Sequence, residues 1–518
     1  MKELVYHRHL LPAAERYADK VAFYDGPFQA TYAEHVERVQ RLGDALHREL
    51  GVTPRDRFAV MALNSHEFLE LYHAAFLGAG VVNPLNLRLA SKELEFILGD
   101  SETKVCFTDA PFAPLVDAVR EAAGIERVVM IGEGDAPHDL RYEELMGAGR
   151  AVVPEEPDED DPVILMYTGG TTGLPKGVLL DQRAEMLNMY HVALRWGLDE
   201  RFVYLHQTPM FHAASMGGIL GIPACGGSST FVPMFEPKAV FENIEAHGVT
   251  MTVMVPTMIA MLLAHPDFER ERMQSLQVLT YGASPMPGAL LDRLLGLFPD
   301  LDVYQGYGMT ECSSVLTFLT EDDHRKGGEV LRSAGRGMIG VDLSIQDPEG
   351  NALAPGETGE VCARAGNFMR EYWKRPKETA DAFRGGWYHT GDAGYVDTRG
   401  YLYLVDRVKD MIVTGGENVY SAEVENALAS HPAVAEVAVI GIPHDVWGEA
   451  VHAIVVLKPD AAATEDELVA HARERIAGFK VPKSIEFRTE PLPLSGALKV
   501  LKRELRAPYW EGKERSVH

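Results

Sequence analysis

Between Tyr167 and Gly177 the chain reads Tyr-Thr-Gly-Gly-Thr-Thr-Gly-Leu-Pro-Lys-Gly. Thr168, Gly169, Gly170, Thr171 and Thr172 form an unbroken run of Thr and Gly, and Lys176 follows shortly after. Glycines let backbone N–H groups approach phosphate oxygens, threonine hydroxyls add donors, and lysine adds charge. That chemistry is polyphosphate handling, and it points to ATP. The common P-loop needs Lys-Ser/Thr opening a helix; here Pro175 precedes the lysine and Gly177 follows it. A solvated turn is the competing reading, yet turn formation does not require so many hydroxyl and cationic groups.

Three further clusters carry chemistry. In Gln305-Gly-Tyr-Gly-Met-Thr-Glu311, Tyr307 between Gly306 and Gly308 can stack on a base. Thr310 beyond Met309 can hydrogen-bond a phosphate, and Glu311 can hold Mg²⁺ through oxygen. In Trp387-Tyr-His-Thr-Gly-Asp392, Asp392 can accept both hydroxyls of a ribose. Asp406-Arg-Val-Lys-Asp410 supplies Arg407 and Lys409, and Gly415-Gly416 follows. Taken singly, Tyr307 reads equally as a core aromatic, Asp392 as a turn former and Arg407 as a surface ion-pair partner.

Elements must hold these clusters in place. Pro162–Tyr167 reads as a buried strand, so the Thr/Gly run leaves a strand end, where α/β sheets bind ligands. Thr31-Tyr-Ala-Glu34 reads as a capped helix start, and Arg57–Ala62 as a strand. From 250 to 311 the rhythm is strand, loop, helix: Thr252–Val255, a helix from Pro256, Leu276–Tyr281, a helix through Leu290–Phe298, then Asp302–Tyr304. This predicts a parallel sheet with crossover helices, whose loops Gly282-Ala283-Ser284-Pro285 and Gly306–Glu311 face one cleft. The acidic, proline-bearing run Pro154–Pro162 reads as a surface linker. Gly335-Arg-Gly-Met-Ile-Gly340 matches a dinucleotide fingerprint but runs into the alternating strand Val341–Gln346 instead of a helix, so NAD is not expected. Beyond about 410 a compact α+β module follows. It has a helix from Ser421, strands Val434–Ile440 and His452–Leu457, and a long helix capped at Thr464 by Glu467.

Composition narrows the class. The 518 residues suffice for two or more domains, and 46% hydrophobic with 24% charged content is ordinary for a globular protein. The formal net charge of −27 argues against nucleic acid and anionic membranes as partners, and requires local cations to draw an anionic substrate. Four widely spaced cysteines without a CxxC pair suggest neither zinc knuckle nor disulfide framework, and fit a cytoplasmic protein. No stretch reads as a signal peptide or a membrane span.

In this order, and nearly end to end, the clusters resemble the adenylate-forming superfamily of acyl-CoA synthetases, carrier-loading adenylation domains and luciferases. The resemblance implies an α/β fold. A large N-terminal part (1–407), with doubly wound sheets and a β-barrel subdomain, would precede a small mobile α+β lid (408–518) hinged at Lys409. It also implies that a carboxylic acid is activated by ATP and Mg²⁺ as an acyl-adenylate, with release of pyrophosphate, and is then passed to coenzyme A. In that reading Thr168, Gly169, Gly170, Thr171, Thr172 and Lys176 handle the β- and γ-phosphates. Thr310 holds the α-phosphate and Glu311 the metal; Gly306, Tyr307 and Gly308 frame adenine, with Gln305 and Met309 beside them; Asp392 and Arg407 hold the ribose. Gly415 and Gly416 line a pantetheine tunnel. In Pro491-Leu-Pro-Leu-Ser-Gly-Ala-Leu-Lys-Val-Leu-Lys, Lys499 stands in the catalytic lysine position. Leu498 replaces the family's usual glycine there, and Lys502 is the alternative cation. Relatives of this kind are monomers or homodimers.

Thr208-Pro-Met-Phe-His-Ala-Ala-Ser215 resembles the segment beside the acyl pocket. His212 is there either a pocket gate or a satisfied core histidine. No aspartate lies between Thr208 and Ser215 to pair a substrate amine, so an apolar or aromatic acid is expected. The small residues of Met216–Pro223 and Gly282–Ser284 either leave room for that acid or allow close packing. Rival readings are a carrier-protein-loading enzyme, a non-catalytic adenylate-binding module and a luciferase-like oxygenase.

Overall fold

The helix His66–Ala74 is buried at all 9 of its positions. A helix with no wet face must be covered on every side, and its polar residues show by what. Tyr72 donates its hydroxyl to the Met210 carbonyl at 2.7 Å and His73 donates to the Ile219 carbonyl at 2.9 Å. On another side Glu70 takes the Arg38 guanidinium, at 2.6 and 3.1 Å, and the Tyr142 hydroxyl at 2.7 Å. Burial opposes ionisation of Glu70, but hydrogen bonds from His35 and Arg38 outweigh it and hold the carboxyl below its usual range.

The computed structural model describes residues 2–168, 175–284, 286–407, 410–414, 417–444, 446–494 and 500–511, with backbone alone at 406, 407, 413, 417 and 418. The chain divides into two compact units: 1–342 with 364–381, and 343–363 with 382–518.

The first unit holds two large sheets. The 9-stranded sheet is parallel from Val21–Asp25 through Ser228–Phe231, Val203–His206, Met251–Met254 and Val278–Gly282 to Asp302–Tyr307. Antiparallel strands close both of its edges. The 8-stranded sheet is parallel from Leu140–Arg141 to Pro162–Thr168, and then carries the antiparallel edge strands Lys176–Asp181 and Glu371–Tyr372. Met251–Met254 is buried at every residue, as expected of a strand covered on both faces.

The expected elements are present. Thr31 caps the helix Tyr32–Arg48 through a reciprocal box with Glu34, and Pro256 opens the helix Pro256–Ala264. The run after Gly335 enters the strand Asp342–Gln346. Thr464 and Glu467 form the expected capping box, but the helix Glu465–Arg473 has only 9 residues, shorter than expected. The acidic run 154–161 has no regular structure, yet it links two strands of one sheet instead of separating domains. Ion pairing fixes it to the N-terminal segment: Arg8 chelates Glu156 at 2.9 and 2.8 Å, and Glu159 accepts the backbone N–H groups of Glu3 and Leu4.

The second unit holds a 4-stranded sheet, Asp342–Gln346, Gly359–Arg364, Tyr388–Val396 and Leu402–Arg407, in that order. It lies where the resemblance put a barrel. A 5-stranded sheet follows, with helices Ser421–Ala429, Glu465–Arg473 and Lys502–Trp510. By compactness the 4-stranded sheet groups with this C-terminal part.

Candidate active site

The strands Val278–Gly282 and Asp302–Tyr307 are parallel neighbours in register, with Tyr281 opposite Gln305 and Gly282 opposite Gly306. The loops Gly282–Ser284 and Gly306–Glu311 therefore leave the sheet side by side, at one edge of one cleft. Glycine is needed for this closeness: a Cβ on Gly282 would lie 2.4 Å from the Gly306 carbonyl oxygen, and one on Gly308 2.0 Å from that of Ser314. Ala283 turns with φ +64°, a left-handed conformation that costs a non-glycine residue energy. From Gln305 to Glu311 every residue is half-buried, whereas Val303 and Tyr304 before it and Cys312 and Ser313 after it are buried. A wetted strip with rigid ends suits ligand contact. Its far end is tied down by Asn367, whose amide donates to the Cys312 and Val315 carbonyls at 2.8 and 3.0 Å, and by Ser313, which donates to the Asn367 carbonyl.

The phosphate-loop residues arrive from the other sheet. Thr168 and Lys176 are direct partners in the antiparallel pair formed by Pro162–Thr168 and Lys176–Asp181. The returning partner is thus a strand, which distinguishes the arrangement from a strand-to-helix P-loop. Gly169, Gly170, Thr171 and Thr172 lie outside the described residues, as do Pro285, Lys409, Gly415, Gly416 and Lys499. At the end of the strand Pro162–Thr168, Tyr167 donates to Asp100 at 2.7 Å, and Trp373 donates its indole N–H to the Asp100 carbonyl. Burial, then Asp100, pushes the Tyr167 phenol far above its usual range, so it remains a neutral donor. A Cβ on Gly177 would press into Leu165, Tyr167 and Trp373 at 2.9–3.2 Å.

Lys176 and Glu311 meet through a residue that sequence reasoning missed. Glu371–Tyr372 pairs with Lys176–Asp181, setting Tyr372 opposite Val178. The Lys176 ammonium lies 5.0 Å from the centre of the Tyr372 ring, within cation–π range. The Tyr372 hydroxyl donates to Glu311 Oε1 at 2.9 Å, and the Met369 N–H binds the Glu311 carbonyl. A cation on a strand of one sheet and a carboxylate in the turn after a strand of the other are thereby joined across one ring. No phosphate-binding signature surrounds Tyr372 in the sequence; only strand pairing brings it in.

The acyl-side segment is fixed by another unforeseen residue. The Asn64 amide donates to the carbonyls of His206, Thr208 and Val232 at 3.1–3.3 Å and accepts the Met210 N–H at 2.8 Å. His212 is half-buried and caps the short turn Ala213–Ser215, its Nδ1 accepting the Ala214 N–H at 3.2 Å. The small residues of Met216–Pro223 serve packing: a Cβ on Gly217 would strike the Trp196 ring at 2.7 Å, and one on Gly218 the Tyr204 ring at 2.4 Å.

In the second unit Asp392 is buried and directly opposes Arg407 across antiparallel strands. Its backbone N–H binds Thr390 Oγ1 at 3.0 Å. Lys502, the alternative to Lys499, is engaged by Ser421 and Glu425, both at 2.6 Å.

The geometry so far is that of a nucleotide-binding α/β enzyme. Residues 11–373 match the family AMP-binding enzyme, and residues 423–499 match AMP-binding enzyme C-terminal domain. The chain belongs to this family, among the adenylate-forming enzymes of acyl-CoA synthetase type. It is 40% identical over 480 residues to a feruloyl-CoA synthase of Amycolatopsis, an alignment spanning 92% of this chain and 93% of that one. It is 35% identical over 493 residues to the fatty acid–[acyl-carrier-protein] ligase ScoC of Streptomyces coeruleorubidus, covering 94% and 93%. Its fold is similar to the o-succinylbenzoate CoA synthetase of Bacillus subtilis in complex with the acyl-adenylate OSB-AMP, with TM-score 0.84, 29% identity and 98% of each chain covered.

Proposed function

We propose that this enzyme joins an apolar or aromatic carboxylic acid to coenzyme A at the expense of ATP. In the first step a carboxylate oxygen attacks the α-phosphorus of ATP, and the bond to pyrophosphate breaks. In the second the thiol sulfur attacks the acyl carbon and AMP leaves. The observation that carries this reading is the Lys176–Tyr372–Glu311 bridge beside the half-buried strip Gln305–Glu311. Two anions must meet in the first step, and a fixed cation offsets their repulsion. Lys176 is that cation, and Tyr372 positions it. Thr168 to Thr172 donate to the β- and γ-phosphates, Thr310 to the α-phosphate, and Asp392 and Arg407 hold the ribose. Mg²⁺ fits Glu311, because a carboxylate whose other contact is a neutral phenol offers the hard oxygen that this ion takes together with nucleotide phosphates; once bound, it would neutralise phosphate charge.

Lys499 supplies the lid-borne cation for adenylation alone, in a lid (408–518) that turns on Lys409 and brings Gly415 and Gly416 to the pantetheine arm. The substitution Lys499→Ala should abolish acid-dependent pyrophosphate release and spare thioester formation from preformed acyl-adenylate; equal loss in both would refute the division of labour. The engagement of Lys502 within the second unit supports Lys499 over it. The unpaired state of all four cysteines fits a cytoplasmic protein, and the enzyme acts as a monomer or homodimer.

The acid lacks an amine, since no aspartate lies between Thr208 and Ser215. Ferulic acid is the first to test, given the synthase relative. Pyrophosphate release across short, medium, long and aryl acids, with and without coenzyme A, decides the class. A carrier-loading enzyme would release pyrophosphate but form no CoA thioester, and a non-catalytic module would do neither.

A further inference from the structure

In the second unit Cys362 lies directly opposite His389 in the antiparallel pair of Gly359–Arg364 and Tyr388–Val396. The register shifts between Glu360 and Cys362: Glu360 opposes Ala393, so the facing strand carries a bulge through Thr390–Asp392. Residues two apart on a strand share a face, so Glu360 and Cys362 converge on one imidazole. His389 Nδ1 lies 2.8 Å from Glu360 Oε2 and 3.3 Å from Cys362 Sγ. His389 Nε2 lies 3.3 Å from the Arg384 carbonyl. A carboxylate oxygen only accepts, so in the 2.8 Å contact Nδ1 donates to Glu360, and a metal ion at this point would take the place of that proton. One imidazole nitrogen, one thiol sulfur and one carboxylate oxygen thus lie within 4.8 Å of one another, and the far ring nitrogen faces a backbone acceptor, as around protein-bound zinc.

We propose that Cys362, His389 and Glu360 form a site for one soft divalent cation, Zn²⁺ by its ligand set. Zinc takes thiolate, imidazole and carboxylate at about 2.0–2.3 Å, and tetrahedral ligands at those lengths stand about 3.4–3.6 Å apart. The Nδ1–Sγ separation of 3.3 Å is already close to this, and the Nδ1–Oε2 separation of 2.8 Å must open by about 0.6 Å. The other His-acid cluster differs in kind. His66 Nδ1 sits between Asp25 at 2.8 Å and Glu67 at 3.2 Å, both hard oxygens, and its ring stacks on Phe23; that cluster offers no sulfur to a soft ion. Cys362 is fully buried. A competing cation is already present: Arg384 Nη2 lies 2.7 Å from Glu360 Oε2, on an exposed side chain that can swing away.

The site reports to the nucleotide. Glu360 Oε1 accepts the N–H of Gly391 at 3.1 Å, within the bulge and next to Asp392. A cation that draws Glu360 inward releases this contact and disturbs Asp392. That coupling rests on Asp392 being the ribose acceptor; metal binding itself does not.

The test uses the full-length protein, reduced and freed of metal by chelator, titrated with Co²⁺ and then with Zn²⁺. One equivalent of Co²⁺ should give tetrahedral visible absorption and a near-ultraviolet thiolate-to-cobalt charge-transfer band, both removed by Zn²⁺. The Cys362→Ser variant should lose the band and bind Zn²⁺ at least about tenfold more weakly, whereas Arg384→Ala should bind it more tightly. Glu360→Gln, whose amide oxygen can still accept the Gly391 N–H, is the control should Cys362→Ser alter the fold, and it too should weaken Zn²⁺. No charge-transfer band in the wild type, or a band retained in Cys362→Ser, overturns the site. Zn²⁺ should also raise the KM for ATP in the wild type and not in Cys362→Ser. Equal inhibition of both overturns the coupling while leaving the spectroscopic result to judge the site.

Discussion

The two segments of the first unit proposed to meet the nucleotide and the acid are built on opposite plans. On the acyl side, Thr208–Ser215 is fixed from within: Asn64 collects three carbonyls and one N–H, and Thr208 and Ser215 turn their hydroxyls onto the backbone carbonyls of Val253 and Pro209. Little polar capacity is left over, which suits a wall against an apolar acid. On the proposed nucleotide side, Gln305–Glu311 is half-buried along its length, Glu311 accepts the Tyr372 hydroxyl, and the segment is anchored beyond its end by Asn367. A binding wall is fixed by its own hydrogen bonds; a ligand-facing strip stays open to solvent and borrows rigidity from its ends.

This contrast can be broken at several points. The largest effect on turnover is expected at Glu311→Gln, which should lower acid-dependent pyrophosphate release by about 10²–10³-fold with little change in melting temperature; a loss explained by unfolding would place Glu311 with the structural residues. On the acyl side the order should reverse. Asn64→Ala leaves buried carbonyls and an N–H unpaired, at a cost of about 2–4 kcal/mol of stability, and chemical denaturation reads it directly. Tyr372→Phe keeps the ring beneath Lys176 and removes the hydroxyl from Glu311, so a drop of about 3–10-fold in kcat, with substrate KM less affected, is expected from steady-state kinetics. Were Tyr372→Phe silent while Tyr372→Leu was not, the ring alone would be the positioning element.

A further effect is one of pH. Full burial lowers the His206 imidazole to about 3, below the roughly 6.5 of an unfolded histidine. The unfolded chain then binds the extra proton, so the contribution of His206 to stability is complete above about 6.5 and falls as pH drops toward 3. Between pH 6.5 and 5 this amounts to about 2 kcal/mol. His206→Gln should flatten that part of the melting-temperature profile; an unchanged slope would show that other buried groups, such as His73, whose imidazole is also held down by burial, dominate acid sensitivity.

Much of this was legible in the residues. The strand-loop-helix rhythm from 250 to 311 named the parallel strands because covered strands are continuously apolar, and the boxes at Thr31 and Thr464 marked helix starts because capping is local chemistry. Gly282 and Gly306–Glu311 were foreseen as neighbours, and their register makes them so. Tyr372 and Asn64 were invisible because each acts on residues more than sixty positions away, with no motif of its own. The glycines of Met216–Pro223 could not be read as space or as packing until Trp196 and Tyr204 were seen to fill the gap. The acidic run 154–161 looked like a linker because composition reports solvation, while its attachment to Arg8 and the N-terminal backbone is a tertiary fact.

What the sequence determined by itself was the chemistry on offer: hydroxyls, glycines and a lysine for phosphates, a glycine-flanked tyrosine for a base, and a carboxylate for a metal. Side-chain type and short spacing suffice for that, since each motif acts through its own few residues. What only the tertiary structure decided was adjacency. Lys176 lies on a strand of one sheet and Glu311 in the turn Thr310–Cys312 after a strand of the other, 135 positions apart by their numbers (311 − 176), and a strand of 2 residues, Glu371–Tyr372, joins them. Cys362 and His389 converge only because two strands pair with a bulge. Hydrogen-bond register, which no local pattern encodes, sets both.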